Sequence, residues 1–499
     1  MSVERGASIG VVANVRLTGP GRTDPFGTDL VDVHLVDGVV ADIAPAGALP
    51  RTGAVIDGAG GWLLPGLWDH HIHTVQWALA SRRVVLDGLD SAAQAAAVMG
   101  AAPVGDDGRR VGSGYRDALW RDTPTLELLD AATGDVPTYL INSDVHSVWL
   151  NSAALRREGM SSDDGILREE PAFEISRRLN ALDVDLADAA VIDAMDRAAA
   201  RGVVGIVDLD MAWNPEAWQR RLARGFDAVR VSFGVYASSL ERAIAAGLAT
   251  GDAIDQRGLV RMGPFKVITD GSLGTRTAAC SHHYPGQATD FGVMTVPPDE
   301  LVQLMRRATG AGIACAVHAI GDVANTHALD AFALTGATGT IEHAQLVAHA
   351  DIPRFARLGV AASVQPAHAV DDRDMAEEYW AGQTSVAYPM RELADAGANL
   401  LFGSDAPVAS LDPWSTMAAA VFRTGDDREA WRPHQRVAAS VALAASTSGG
   451  SETGSAIAPG DVADLIVVDR DPVAAATAVE MRVTGVQATL LAGRATHVA

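Results

Sequence analysis

The sequence predicts an α/β fold, a (β/α)8 TIM-type barrel carrying a small composite β-sandwich built from both chain ends. Three observations predict it. An amphipathic helix, a glycine and a short apolar strand recur through the middle of the chain. Both ends read as β-structure instead. Polar residues collect where the middle strands stop.

The recurring unit is clearest from residue 187 onward. A helix over 187–200 is stopped by Gly202 before the strand Val203–Leu209. A second helix, 298–309, opens on Pro298-Asp299-Glu300 and stops near Gly310 and Gly312, before Ile313–His318. Gly359 and Gly397 precede Val360–Gln365 and Asn399–Gly403 in the same way. Glycine supplies the left-handed residue that ends a helix, and helix–glycine–strand repetition marks parallel α/β construction. Strands are placed at 64–71, 203–209, 229–236, 264–269, 313–318, 340–344, 360–365 and 399–404, the eight that a barrel needs. A further apolar run, Thr138–Asn142, falls within the stretch 80–186, assigned to an insertion after the first strand. A doubly wound open sheet is the competing architecture, but no GxGxxG follows the first strand.

At the N-terminus Val31, Val33 and Leu35 alternate, Asp37-Gly38 offers a two-residue hairpin turn, and Val39–Ile43 resumes the strand. Leu465–Val468 reads as a buried strand, and Val483–Leu491 runs to a turn at Gly493. Residues 1–60 and 455–499 are therefore assigned to one β-sandwich domain and 61–454 to the barrel.

The chain's 499 residues suffice for a barrel with appended elements. A formal net charge of −23 repels nucleic acid and anionic membranes, which leaves a small-molecule substrate as the expected partner. MSVERGASIG lacks the basic-then-apolar run of a signal peptide, and no window is long and uncharged enough for a membrane span. A soluble cytoplasmic protein is expected, with a homodimer as a reasonable assembly. Cys280 and Cys315 are read as buried free thiols.

The first strand closes as Asp69-His70-His71-Ile72-His73. Alternation points His71 and His73 the same way, ~7 Å apart along the strand, and His70 the other way. His318 and His343 end two later strands, and Asp405 follows another in Gly-Ser-Asp-Ala-Pro. Singly, each histidine is as readily a hydrogen-bonded core residue, and Asp405 a helix cap. Together they are four imidazoles and a carboxylate at the C-terminal ends of strands, the functional face of a barrel and the donor set of zinc and its neighbours.

Lys266 joins them. It is the one lysine in the chain, and it lies in the apolar strand Pro264–Thr269. An Arg-rich composition explains the missing lysines but not the one that remains. Burial lowers a lysine's pKa, and a neutral amine takes up CO2 as a carbamate, a carboxylate on a long stem able to bridge two cations. Arginine stays protonated and cannot. The plainer alternative is a buried ion pair, for instance with Asp270. The expected cofactor is a divalent metal, Zn2+ first, one or two per chain, with CO2 as the lysine carbamate. Asp405 would then take a proton from the attacking water and pass it to the leaving nitrogen.

Pro65-Gly-Leu-Trp-Asp-His-His-Ile-His73 resembles the first-strand signature of the amidohydrolase superfamily. Further segments are similar to its YtcJ-like (amidohydrolase-3) branch. These are Asp144-Val-His-Ser147 with Asn151–Leu155, Lys266-Val-Ile-Thr-Asp-Gly-Ser-Leu-Gly274, His318-Ala-Ile-Gly-Asp322, Ile341-Glu-His343, Gly403-Ser-Asp-Ala-Pro-Val408 and Ile457–Leu465. The similarity runs from about residue 25 to the C-terminus. It implies a metal site made by His71 and His73 of the first strand, Lys266 of the fourth, His318 and His343 of the fifth and sixth, and Asp405 of the eighth. By the same resemblance His146, Glu169 and Arg276 face the substrate, although Glu169 reads equally as a solvated charge beside Glu170.

The function expected is metal-dependent hydrolysis of an amide, formamide or cyclic amide C–N bond. A mononuclear deaminase is the first alternative, but such enzymes usually lack the bridging lysine and carry a glutamate soon after the fifth-strand histidine, where Gly321 and Asp322 stand here. A lactonase or esterase would use the same binuclear site. A metal-free scaffold would have lost ligand positions that are all filled here. Trp149, Phe173, Tyr379 and Trp380, in loop or insertion regions, hint at an apolar substrate.

Overall fold

The computed structural model describes residues 3–18, 29–80, 83–105, 107–180, 184–286, 288–450 and 456–499. Its centre is an eight-stranded sheet. The strands are β1 (Leu67–Ile72), β2 (Val203–Asp208), β3 (Arg230–Tyr236), β4 (Val260–Ile268), β5 (Cys315–Ala319), β6 (Gly339–His343), β7 (Ala361–Val364) and β8 (Leu400–Phe402). Each pairs in parallel with the next in sequence. The ring closes where Asp405 N–H donates to His71 O at 2.7 Å and Ile72 bridges Ala406 in parallel. Parallel neighbours need crossovers, and helices such as Val184–Ala199, Pro298–Gly310 and Asp322–Thr335 provide them. Covered on both faces, the strands read as apolar runs; all five residues of β5 are buried. Gly359, left-handed at φ 66°, ends the helix Ile352–Leu358 as expected.

The predicted strand 64–71 is two strands. Trp62–Pro65 lies in the terminal sheet, parallel to the end of Ile9–Leu17 and antiparallel to Leu465–Val468. The chain then turns at Gly66, where a Cβ would meet the Val204 side chain at 2.4 Å, and enters the barrel as β1. The run Leu63–Leu67 is apolar apart from Pro65 and Gly66, so periodicity alone does not divide it.

The terminal sheet draws on both chain ends. Its order is Arg494–Val498, Val486–Leu491, Leu465–Val468, Trp62–Pro65, Ile9–Leu17, Val31–Val36 and Val39–Pro45, with Ala54–Asp57 also on Ile9–Leu17. Val12, Val15, Val33, Leu63, Leu465 and Val467 belong to its separate apolar core. The boundary expected at residue 455 lies outside the described residues.

Between β1 and β2 the chain builds a five-stranded sheet, ordered Ile166–Arg168, Ser147–Leu150, Thr138–Asn142, Arg110–Tyr115 and Val84–Val85. Thr138–Asn142 thus belongs to this inserted sheet and not to the barrel. Cys280 and Cys315 are free and buried. Among the described residues no helix is long and apolar enough to cross a membrane.

Candidate metal centre

The strand ends bring the predicted donors together. His71 lies one residue before the end of β1 and His73 just follows the strand, their ring centroids 5.6 Å apart. Asp405 Oδ1 stands 3.4 Å from His71 Nε2 and 3.3 Å from His73 Nε2. The His343 ring lies 4.9 Å from that of His71 and 4.5 Å from that of His318. Lys266, on β4, is 1 % exposed, and its Nζ meets no hydrogen-bond partner. His70 turns away as alternation predicts: its Nδ1 lies 3.1 Å from Phe402 O and its ring stacks on Trp68.

Two side chains not singled out from the sequence belong here. His368, on the short helix after β7, forms with His343 and Asp405 a second group whose donor atoms lie within 4.8 Å of one another, as those of His71, His73 and Asp405 do. Glu342 accepts the His71 Nδ1 proton at 2.6 Å, which orients the ring and leaves Nε2 for the site. His343 and Asp405 are both left-handed, with φ of 74° and 58°. That conformation is costly for such residues and recurs at functional sites.

The electrostatics suit cation binding. Burial, reinforced by Lys266 and neighbouring imidazoles, holds His71, His318 and His343 below the usual imidazole pKa, so they are neutral with free lone pairs. Burial would raise Asp405, but His71, His73 and His343 outweigh it and keep the carboxyl well below its usual range. Burial lowers Lys266 to about 8, against the pull of Glu342 and Asp405. The alternative ion pair with Asp270 does not form: that carboxylate accepts N–H groups from Ala279, Ile320 and Gly321 and stands 3.5 Å from His318. Lys266 Nζ, His343 Nδ1 and His368 Nε2 are buried without hydrogen-bond partners. Buried polar atoms are nearly always satisfied, so neutral imidazoles, a carboxylate and an orphan amine at one point fit a metal.

The centre opens into a cavity of about 820 Å³, including its solvent-facing mouth. His146 lines it from the inserted sheet, 5.6 Å from the His318 ring. Glu169 is no solvated charge: it bonds His146 Nδ1 at 2.9 Å and accepts Thr277 Oγ1–H at 2.6 Å. Burial opposes a charge on His146, but Glu169 raises its pKa to about 9. Arg276, expected to face the substrate, does not line this cavity. It is exposed, left-handed at φ 57°, with its guanidinium 5.5 Å from the Tyr379 ring. Of the four aromatics only Phe173 lines the cavity; Trp149 sits in the inserted sheet's core, and Tyr379 and Trp380 pack behind the wall.

Comparison with known proteins agrees with this geometry. The chain is 25 % identical to the putative amidohydrolase YtcJ of Bacillus subtilis, over 73 % of this chain and 74 % of that one. It is 26 % identical to the N-substituted formamide deformylase of Arthrobacter pascens, over 86 % and 88 %. A metal-dependent hydrolase of Pyrococcus horikoshii superposes with a TM-score of 0.75 at 25 % identity, covering 93 % of this chain and 98 % of that one. The model of the amidohydrolase family matches residues 54–497, and the chain belongs to that family.

Proposed function

We propose that the protein hydrolyses a C–N bond, other than a peptide bond, in a small amide, formamide or cyclic amide. His71, His73, Lys266, His318, His343 and Asp405 would hold one or two divalent ions, zinc first. The observation that carries this reading is Lys266, the one lysine of the chain, buried without a partner amid neutral imidazoles. Its neutral amine adds to CO2 through the nitrogen lone pair and loses a proton to water. The resulting carbamate would give Lys266 an anionic oxygen donor with which to help hold divalent ions. The similarity to a formamide deformylase supports the same bond type.

A bound divalent metal supplies Lewis acidity toward the carbonyl and lowers the pKa of water. The chain's own residues do the rest. Asp405, ionised and beside His71 and His73, accepts the proton of the attacking water and delivers it to the leaving nitrogen. Glu342 fixes the His71 ring. His146, tied to Glu169 through Nδ1, keeps Nε2 for a ligand in the cavity.

A single-ion aminohydrolase is the second reading, favoured by the convergence of His71, His73 and Asp405 without help from Lys266. Elemental analysis of protein grown with zinc and bicarbonate, beside a Lys266→Ala variant, separates the two. The bridged site predicts about two metals per chain, falling sharply in the variant, together with formamide hydrolysis. One metal in both proteins would replace it with the mononuclear reading.

A further inference from the structure

Arg116 stands at the junction of the catalytic cavity and a neighbouring open trough, which share it with Asn142, Ser143, Val145 and Val408. It follows the inserted strand Arg110–Tyr115, and its side chain is 35 % exposed. Its guanidinium donates no hydrogen bond to any described residue. The nearest carboxylate oxygens are Asp371 Oδ2 at 3.7 Å and Asp372 Oδ1 at 3.8 Å, beyond hydrogen-bond reach. Arg307, by contrast, closes its fork on both oxygens of Glu241 at 2.7 Å.

Asp371 and Asp372 make only these loose ion pairs with it, and three carboxylates that line the cavity accept from other donors. Asp372 accepts Tyr388 Oη–H at 2.9 Å, Asp117 accepts Asn142 Nδ2–H at 2.8 Å, and Asp144 accepts Ser272 Oγ–H at 2.6 Å. The result is a permanently charged, planar donor set open to the cavity. Such a fork matches a carboxylate with two parallel hydrogen bonds. Phe173, Leu273 and Met375 give the same cavity an apolar side.

We infer that Arg116 recognises a carboxylate on the substrate, so that the amide hydrolysed is an anion of the N-acyl amino acid type with an apolar side chain. This rests on the amidohydrolase reading above. A chain of net charge −23 repels anions at a distance, so the selection must be made by this short-range contact.

The test uses metal-loaded protein and a ligand pair that differs only in the carboxylate: N-methanesulfonylphenylalanine and N-methanesulfonylphenethylamine, whose sulfonamides resist hydrolysis. Calorimetric titration of the wild type should show the carboxylate ligand bound about tenfold or more tightly, the factor expected of one bidentate charge-assisted pair. Arg116→Leu should bring the two ligands to parity while binding the neutral one unchanged. Equal affinities in the wild type, or a preference that survives Arg116→Leu, overturn the assignment. If Arg116→Leu loses the neutral ligand as well, Arg116→Lys decides: a reduced preference supports the fork and an unchanged one refutes it. Hydrolysis of N-formylphenethylamine without any charge preference would keep the hydrolase and remove Arg116 from recognition.

Discussion

At residue 266 the chain holds an amine that the fold keeps out of water. Its pKa falls from 10.5 to about 8 because burial disfavours the ammonium. Below about 8 the lysine is charged in the folded and unfolded chains alike, and the full cost of burying it is present. Between about 8 and 10.5 only the unfolded chain binds the proton, so the metal-free protein gains stability as pH rises, on the order of 3 kcal/mol over the whole window. Denaturant unfolding of metal-free wild type and Lys266→Met at about pH 7.5 and about pH 9.5 checks this, and the variant's advantage should shrink at the higher pH. Parallel behaviour would mean that Lys266 reaches water. The donors around it were legible in the sequence because each ends a strand. His368 was not, because it lies one helical turn beyond β7 rather than at its end. Glu342 was hidden by the period-two rule. It precedes His343, and the left-handed backbone of His343 allows adjacent residues to serve one centre.

At the scale of elements, the inserted sheet matters through the loop it docks on the barrel. A closed circuit joins them: His146 N–H to Asp144, Asp144 to Ser272, Ser272 to Thr275, Thr275 to Thr277, Thr277 to Glu169 and Glu169 back to the His146 ring. Val145, Glu169 and Arg276 are left-handed within it, a conformational cost that the circuit offsets. Thr277→Val removes one hydroxyl, which donates to Glu169 and accepts from Ser272 N–H, and no candidate metal ligand. It should leave metal content unchanged and lower kcat/KM on a formamide about tenfold, with recovery in Thr277→Ser. A matching loss of metal would show that the circuit supports the centre and not the substrate. The insertion's existence was readable, because the eight barrel strands leave Thr138–Asn142 without a place. Its docking was not, since the circuit joins residues more than a hundred positions apart. The joint at Gly66 stayed hidden for a local reason: a continuous apolar run carries no mark of which sheet each half enters.

At the scale of the whole molecule, the terminal sheet lies on the path into the candidate metal centre. Trp62–Pro65 is held between strands from both chain ends and leads through the turn at Gly66 into β1, which carries His71 near its end. Arg230 of β3 grips Asp464 through two bonds of 2.5 and 3.0 Å, and Thr489 Oγ1–H donates to Ala199 O at 2.7 Å, tying the sheet to the barrel wall. Loosening the sheet therefore frees the root of the strand that presents two candidate ligands. The sheet and the barrel should melt as one cooperative unit, and stripping metal should lower one shared Tm instead of creating an early transition. Bound metal at about a thousandfold above its Kd is worth ~4 kcal/mol, enough to move that midpoint measurably. Trp62 reports from the face of the terminal sheet that packs on the barrel and Trp218 from the barrel core. Thermal unfolding followed by fluorescence of Trp62→Phe and Trp218→Phe variants, with and without chelator, should give coincident midpoints that shift together. A terminal-sheet signal that melts first and ignores the chelator would separate the two units and leave β1 anchored by the barrel alone.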